Sequence, residues 1–231
     1  MKKYILKEYG SWAVAATAFV AGLQGNVVGI GTLLFALLSC FLIINSKEAF
    51  SKWLKFKDVK GGILSLLQLI VGALIFVYIT GRNITGFLPF TIVPVLYLLF
   101  FKVKGEHFIV TEVLGFMVLS LTVLVSFYIS TAKIGYIIYL IMALYFVAGV
   151  FKVRMQLRKD AKYRIVSFLY LLFVVAVYKL INVSLVLAVP LIDNLIFLLR
   201  PYRIKLKHTG WIELIKSVLF VILIFRFYNV S

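Results

Sequence analysis

Apolar residues in this chain fall into long stretches, most of them close to the ~20 residues a helix needs to cross ~30 Å of hydrocarbon. Nine such stretches are predicted as helices, at 10–23, 27–44, 62–80, 87–101, 108–129, 134–151, 165–181, 183–199 and 211–227. The first and fourth are short. The first also has the basic start of a secretory signal peptide. Gln24, Gly25 and Asn26 nevertheless read as a tight turn leading straight into a second apolar helix, so the stretch is taken as a span. Gly25 and Gly29 have the G-x-x-x-G spacing that lets helices approach closely. Pro89, Pro94 and Pro190 are expected to interrupt the fourth and eighth helices, leaving carbonyls for neighbouring groups to satisfy. Residues 47–60 form a different pattern: Ala49, Phe50, Trp53, Leu54 and Phe56 share one helical arc, and Glu48, Ser51, Lys52, Lys55 and Asp58 the other. That pattern predicts an amphipathic helix lying in the membrane interface.

The polar residues between the stretches alternate in charge. Lys2, Lys3 and Lys7 precede the first stretch, five lysines from Lys47 to Lys60 follow the second, and Lys102 and Lys104 follow the fourth. The runs from Lys152 to Arg164 and from Arg200 to Lys207 follow the sixth and eighth. The intervening loops hold at most one cation each, namely Arg82, Lys133, Lys179 or Arg226. By the positive-inside rule the basic loops are cytoplasmic, which puts the N-terminus inside and the C-terminus outside. Trp12, Trp53 and Trp211 then mark one interface. The expected fold is all-α: residues 1–231 form a single polytopic bundle in the cytoplasmic (inner) membrane.

Composition agrees with that class, since 64% of the residues are apolar, more than a soluble core of this size can absorb. A net charge of +17 would suggest nucleic acid in a soluble protein. Here the cations sit in short loops on one face, where orientation and anionic lipid account for them, so the expected partners are membrane lipids and no nucleic acid. Cys40 is the only cysteine and reads as a packing residue. Two histidines, no paired cysteines and no H-E-x-x-H spacing give no metal site, and no cofactor is expected.

All eight acids map to the basic half of the bundle. Asp193 stands inside the eighth helix, ~9 Å from its inner end by helical rise, where a lone carboxylate costs ~2.5–3.5 kcal/mol. It is expected to face inward, paired with Arg154 or a neighbouring donor. Glu112 and Glu213 begin helices, where the dipole favours a carboxylate; Glu213 also has Lys216 three residues on. Arg154 and Arg158 are four apart, a spacing that suits a two-pronged grip on phosphate or carboxylate. Together Glu8, Trp12, Asn45, Glu112, Arg154, Arg158, Asp193 and Glu213 form the candidate ligand-binding cluster, lining one cytoplasm-facing cavity.

Two resemblances follow. Lys7-Glu8-Tyr9-Gly10-Ser11-Trp12-Ala13 resembles the Lys-Glu-His-Gly-Ala-Trp-Ala opening of the YwiC-like membrane proteins, with Tyr9 in place of His. Glu112, Val153-Arg154 and Gly210-Trp211-Ile212-Glu213 resemble that family's recurring polar positions; the family implies no particular reaction. The nine-helix layout resembles the UbiA-type intramembrane prenyltransferases, which hold magnesium and a prenyl pyrophosphate with Asp-rich loops after the second and sixth helices. The corresponding loops here are basic with isolated acids. Three functions stay open: binding of, or metal-independent catalysis on, a lipophilic or phosphate-bearing ligand, transport of a small solute, and non-catalytic assembly of a membrane complex.

Overall fold

The structure, a computed structural model, describes residues 4, 6, 8–25, 28–158, 160–200 and 206–228. Lys2, Lys3, Lys7, Asn26, Lys159 and residues 201–205 lie outside them. The described residues contain no strand. The helices are α1 (Tyr9–Gly22), α2 (Ile30–Phe56), α3 (Val59–Thr80), α4 (Ile92–Lys104), α5 (Ile109–Ser120), α6 (Thr122–Thr131), α7 (Tyr136–Arg158), α8 (Ala161–Leu180), α9 (Ile192–Leu199) and α10 (Leu206–Phe227). Six segments are long and apolar enough to cross a membrane: α2, α3, Asn83–Lys104, Ile109–Thr131, α7 and α8. Each of the nine expected stretches coincides with helix. α1, at 14 residues, and the apolar segment Leu185–Leu199 are shorter pieces.

The proline effects appear at Pro89 and Pro190 but not at Pro94, which sits in the first turn of α4, where its missing N–H would have no partner in the helix. Gly81–Thr91, containing Pro89, is a 3₁₀ helix running into α4, and Leu185–Leu191, containing Pro190, is a 3₁₀ helix running into α9. The break between α5 and α6 at Leu121 has no proline. Here Ser120 donates to Phe116 O and Thr122 to Leu119 O, and such back-bonding to the preceding turn bends a helix.

α7 is the core of the bundle, and its burial explains its composition. Small residues such as Ala143, Ala148 and Gly149 let neighbours approach, while large ones fill the space between them. Tyr145 stacks on Phe220 of α10 at 3.9 Å, and the Tyr170 and Tyr178 hydroxyls of α8 donate to Leu144 O and Ile141 O. α3 sits at the periphery, leaning on α2 through small-residue contacts: Ser39 donates to Gly72 O and Ser65 to Ser46 O.

Residues 47–56 are helical, but as the last turns of α2 and not as a separate interfacial helix. The chain reverses only at Lys57, in the left-handed region at φ 50°, after which Asp58 caps α3 by accepting from Gly61 N. The arc expected to be apolar is partly exposed, with Trp53 and Phe56 outward, while Asn45, Ser46 and Ala49 face the neighbouring helices.

Short α1 is held by α6. Thr122 donates to Ala15 O at 2.9 Å and Ser130 to Gly22 O at 3.0 Å, so two hydroxyls on one face of α6 hold α1 at points about two turns apart. The expected Gly25/Gly29 pair gives way to Gly22/Gly25: a Cβ on Gly25 would lie 2.0 Å from Ser130 O, whereas Gly29 has open space around it apart from Thr32 Oγ1 at 4.0 Å. A Cβ on Gly22 would lie 2.1 Å from Ser126 Oγ and 2.5 Å from Val123 O. Gly22→Ala is therefore expected to destabilise the detergent-solubilised protein by about 1–3 kcal/mol. Ser126→Ala should not rescue it, because the backbone carbonyl stays in place. Gly31→Ala, with nothing within 4 Å, should leave the thermal midpoint unchanged or slightly raised; equal losses at both glycines would contradict this packing.

Candidate functional site

Two cations near the end of α7 organise the polar residues. Lys152 and Arg154 are two residues apart, about 200° around a helix, so they face opposite sides. Arg154 turns to α5, where Nε donates to Glu112 Oε2 at 2.8 Å and an NH2 group donates to His107 O. Lys152 is 0% exposed and turns to α9 and α10, meeting Asp193 and, at 2.8 Å, Glu213 Oε1. Lys216 of α10 completes that second group, donating to Asn194 Oδ1 at 2.6 Å and Glu213 Oε1 at 2.9 Å, with Asp193 Oδ2 3.2 Å away. Asn194 in turn donates to Ala148 O. Two lysines against two carboxylates give a neutral network, the condition under which buried charge is tolerable.

A third group lies beyond α5. Lys47 of α2 bridges Glu8, at 3.0 Å, and Glu106, at 3.2 Å, and Lys55 meets Glu106 at 3.1 Å. Burial pushes the Glu106 carboxyl up, but Lys47 and Lys55 more than offset it and hold it below the usual range. A carboxyl depressed on folding stabilises the fold above its unfolded pKa, and that contribution is lost as pH falls through the folded value.

Between the α2–α3 hairpin and α4–α6 is a cavity of about 610 Å³, within the range of small-molecule sites. Its lining on α5 and α6 runs from Thr111 to Val125, ~21 Å of helix by rise. Ile43, Phe87, Phe90, Leu98, Phe116 and Leu124 make most of the wall apolar. Glu8, Lys47, Glu106 and Glu112 lie at one end, with Tyr97 and Thr111 beside them.

The eight sequence candidates are thus divided. Glu8 and Glu112 line the cavity, and Arg154 stands behind Glu112. Trp12 and Asn45 clamp the chain ahead of α1: Trp12 Nε1 donates to Leu6 O, and Asn45 Oδ1 accepts from Leu6 N. Arg158 is exposed at the end of α7, so no fork forms with the buried Arg154. Asp193 faces inward as expected, but it and Glu213 belong to the Lys152/Lys216 network, away from the cavity. The expected single cluster is corrected to groups on opposite sides of α7. Lys152 was missed because it follows the apolar run and reads as loop charge; α7 continues six residues beyond it. Magnesium, as the UbiA-type resemblance would imply, does not suit these donors. Among the described residues no three His, Cys, Asp or Glu side chains gather as a metal-holding group, and Glu8, Glu106 and Glu112 are each tied to a cation.

No family model, curated protein or solved structure matches the chain.

Removing Lys152 leaves two carboxylates sharing Lys216. Breaking a buried pair costs up to about 3–5 kcal/mol, reduced here because the Asp193 and Glu213 side chains keep 28% and 24% exposure. Lys152→Met is expected to lower the thermal midpoint clearly more than Lys55→Met, whose side chain is 52% exposed and whose pair is worth about 0–1 kcal/mol. Similar shifts for the two variants would contradict the network.

Proposed function

We propose that the protein binds a lipophilic amphiphile, acting as a multi-pass protein of the cytoplasmic membrane whose cavity holds an apolar chain with its polar end toward the cytoplasm. The cavity carries this reading: it is long, walled by aromatic and aliphatic side chains, and charged at one end only. An occupant of matching shape has a hydrocarbon body and a small head. The Lys/Arg alternation supports the orientation, because Lys47, Lys55 and Lys104 belong to the basic set of loops.

The same geometry weighs against the other two readings. A conduit needs a central path, and the centre is filled by α7; a purely structural partner needs no internal space. The YwiC-like resemblance fits this reading and adds no reaction to it. The UbiA-type resemblance is retained as architecture alone, since fold does not carry function.

A headless photoactivatable alkyl probe tests the proposal in membranes. Saturable labelling of Leu98, Phe116 or Leu124 is expected, and Gly115→Phe, which places a ring in the cavity beside Tyr97, should abolish it. Labelling confined to outward residues such as Leu66 and Leu74, or labelling that never saturates, would overturn it.

A further inference from the structure

Resting on the cavity reading above, we infer that the polar end selects a head group that donates hydrogen bonds, a hydroxyl or an ammonium, and disfavours an anionic one. Thr111 carries the first observation. It lines the cavity and is 1% exposed, yet its hydroxyl oxygen has no hydrogen-bond partner among the described residues. The carbonyl one turn back, His107 O, already accepts from Arg154. A buried hydroxyl left unpaired is costly, so a ligand group that reaches it gains affinity.

The neighbouring charges set the sign. Glu112, the next residue on α5, gives Oε2 to Arg154, and its Oε1 has no hydrogen-bond partner among the described residues. The spare capacity at this end is therefore a carboxylate acceptor at Glu112 Oε1 beside a Thr111 hydroxyl that can accept as well as donate. The cations offer no matching vacancy: Lys47 is already shared between Glu8 and Glu106. Three carboxylates and one lysine line this end of the cavity, with Lys55 and Arg154 paired to Glu106 and Glu112 from outside the lining. An entering anion would have to draw Lys47 away from Glu8 and Glu106, leaving Glu8 without its cation, and would gain nothing from Lys55 and Arg154, which stay on Glu106 and Glu112. A hydroxyl or ammonium displaces nothing, donating to Glu112 Oε1 and taking Thr111 as a second partner. Specificity of this kind comes as much from repelling the wrong head as from holding the right one.

Competition against the alkyl probe tests this, using single-chain amphiphiles of equal length compared at equal mole fraction in the membrane: an alkanol, an alkylammonium, an alkanoate and an alkyl phosphate. The alkanol and the alkylammonium are expected to displace the probe at roughly tenfold lower concentration than either anion, the size of one hydrogen bond to a charged acceptor. Glu112→Gln should remove most of the advantage of the alkanol and the alkylammonium over the two anions, and uncharged Thr111→Val, which leaves the Arg154 pair intact, should weaken both. Equal displacement by all four, or preference for an anion, would overturn the head-group inference while leaving the cavity reading standing. Probe labelling that never saturates, before any competitor is added, would remove both.

Discussion

A charged side chain within a helical bundle needs a partner at its own depth, and α7 carries two, on opposite faces. Arg154 draws Glu112 and the start of α5 to one side, while Lys152 draws Asp193 of α9 and Glu213 of α10 to the other. Neither pairing is replaceable by water at low cost. The helices carrying those acids are thereby fixed around α7 at one end of the bundle. Small residues then set the close approach; at Gly149 an added Cβ would lie 3.6 Å from Glu213 Oε2. Tyrosines on α7 and α8 complete the packing by spending their hydroxyls on backbone carbonyls of neighbouring helices.

The cavity follows from how the α2–α3 hairpin is attached. At the basic end, Lys47 and Lys55 reach across to Glu106. At the opposite end Asn83 donates to the Tyr128 hydroxyl, which donates to Thr80 O, and Phe87 packs edge-on between Phe76 and Tyr128. The hairpin is thus tied at both ends, with the apolar cavity lying between it and α4–α6. α1 contributes Glu8 to the charged end because Trp12 and Asn45 fix the backbone at Leu6 and α6 holds the helix below it. A residue that looks like a ligand contact in sequence can therefore act one step back, by positioning the residue that lines the cavity.

Helices were the most legible feature, because hydrophobic length and proline position are properties of local sequence. The 3₁₀ pieces at Pro89 and Pro190 follow directly from the lost N–H groups. The break at Leu121 was not legible, since serine and threonine are common in apolar helices and only some of them bend one. Asp193 facing inward was legible from desolvation cost alone. Its partner was not: the apolar run ends at Phe151, so Lys152 has no local mark separating it from the solvated cations that follow. The Thr122, Ser126 and Ser130 spacing on α6 was a readable signal for a close helix contact, and it points at α1 where the glycine spacing pointed at Gly29. Division of the acids between two faces of α7 required knowing how far that helix continues, which no periodicity in this stretch shows.

Double-mutant cycles on thermal unfolding of the solubilised protein test that division most directly. Lys152→Met with Asp193→Asn, and Arg154→Met with Glu112→Gln, should each be strongly non-additive. Lys152→Met with Glu112→Gln should be additive to within about 0.5 kcal/mol, as for sites with no shared partner. Coupling across the Lys152/Glu112 pair as large as that within either ion pair would contradict the account, because it would mean that the acids and bases form one shared site.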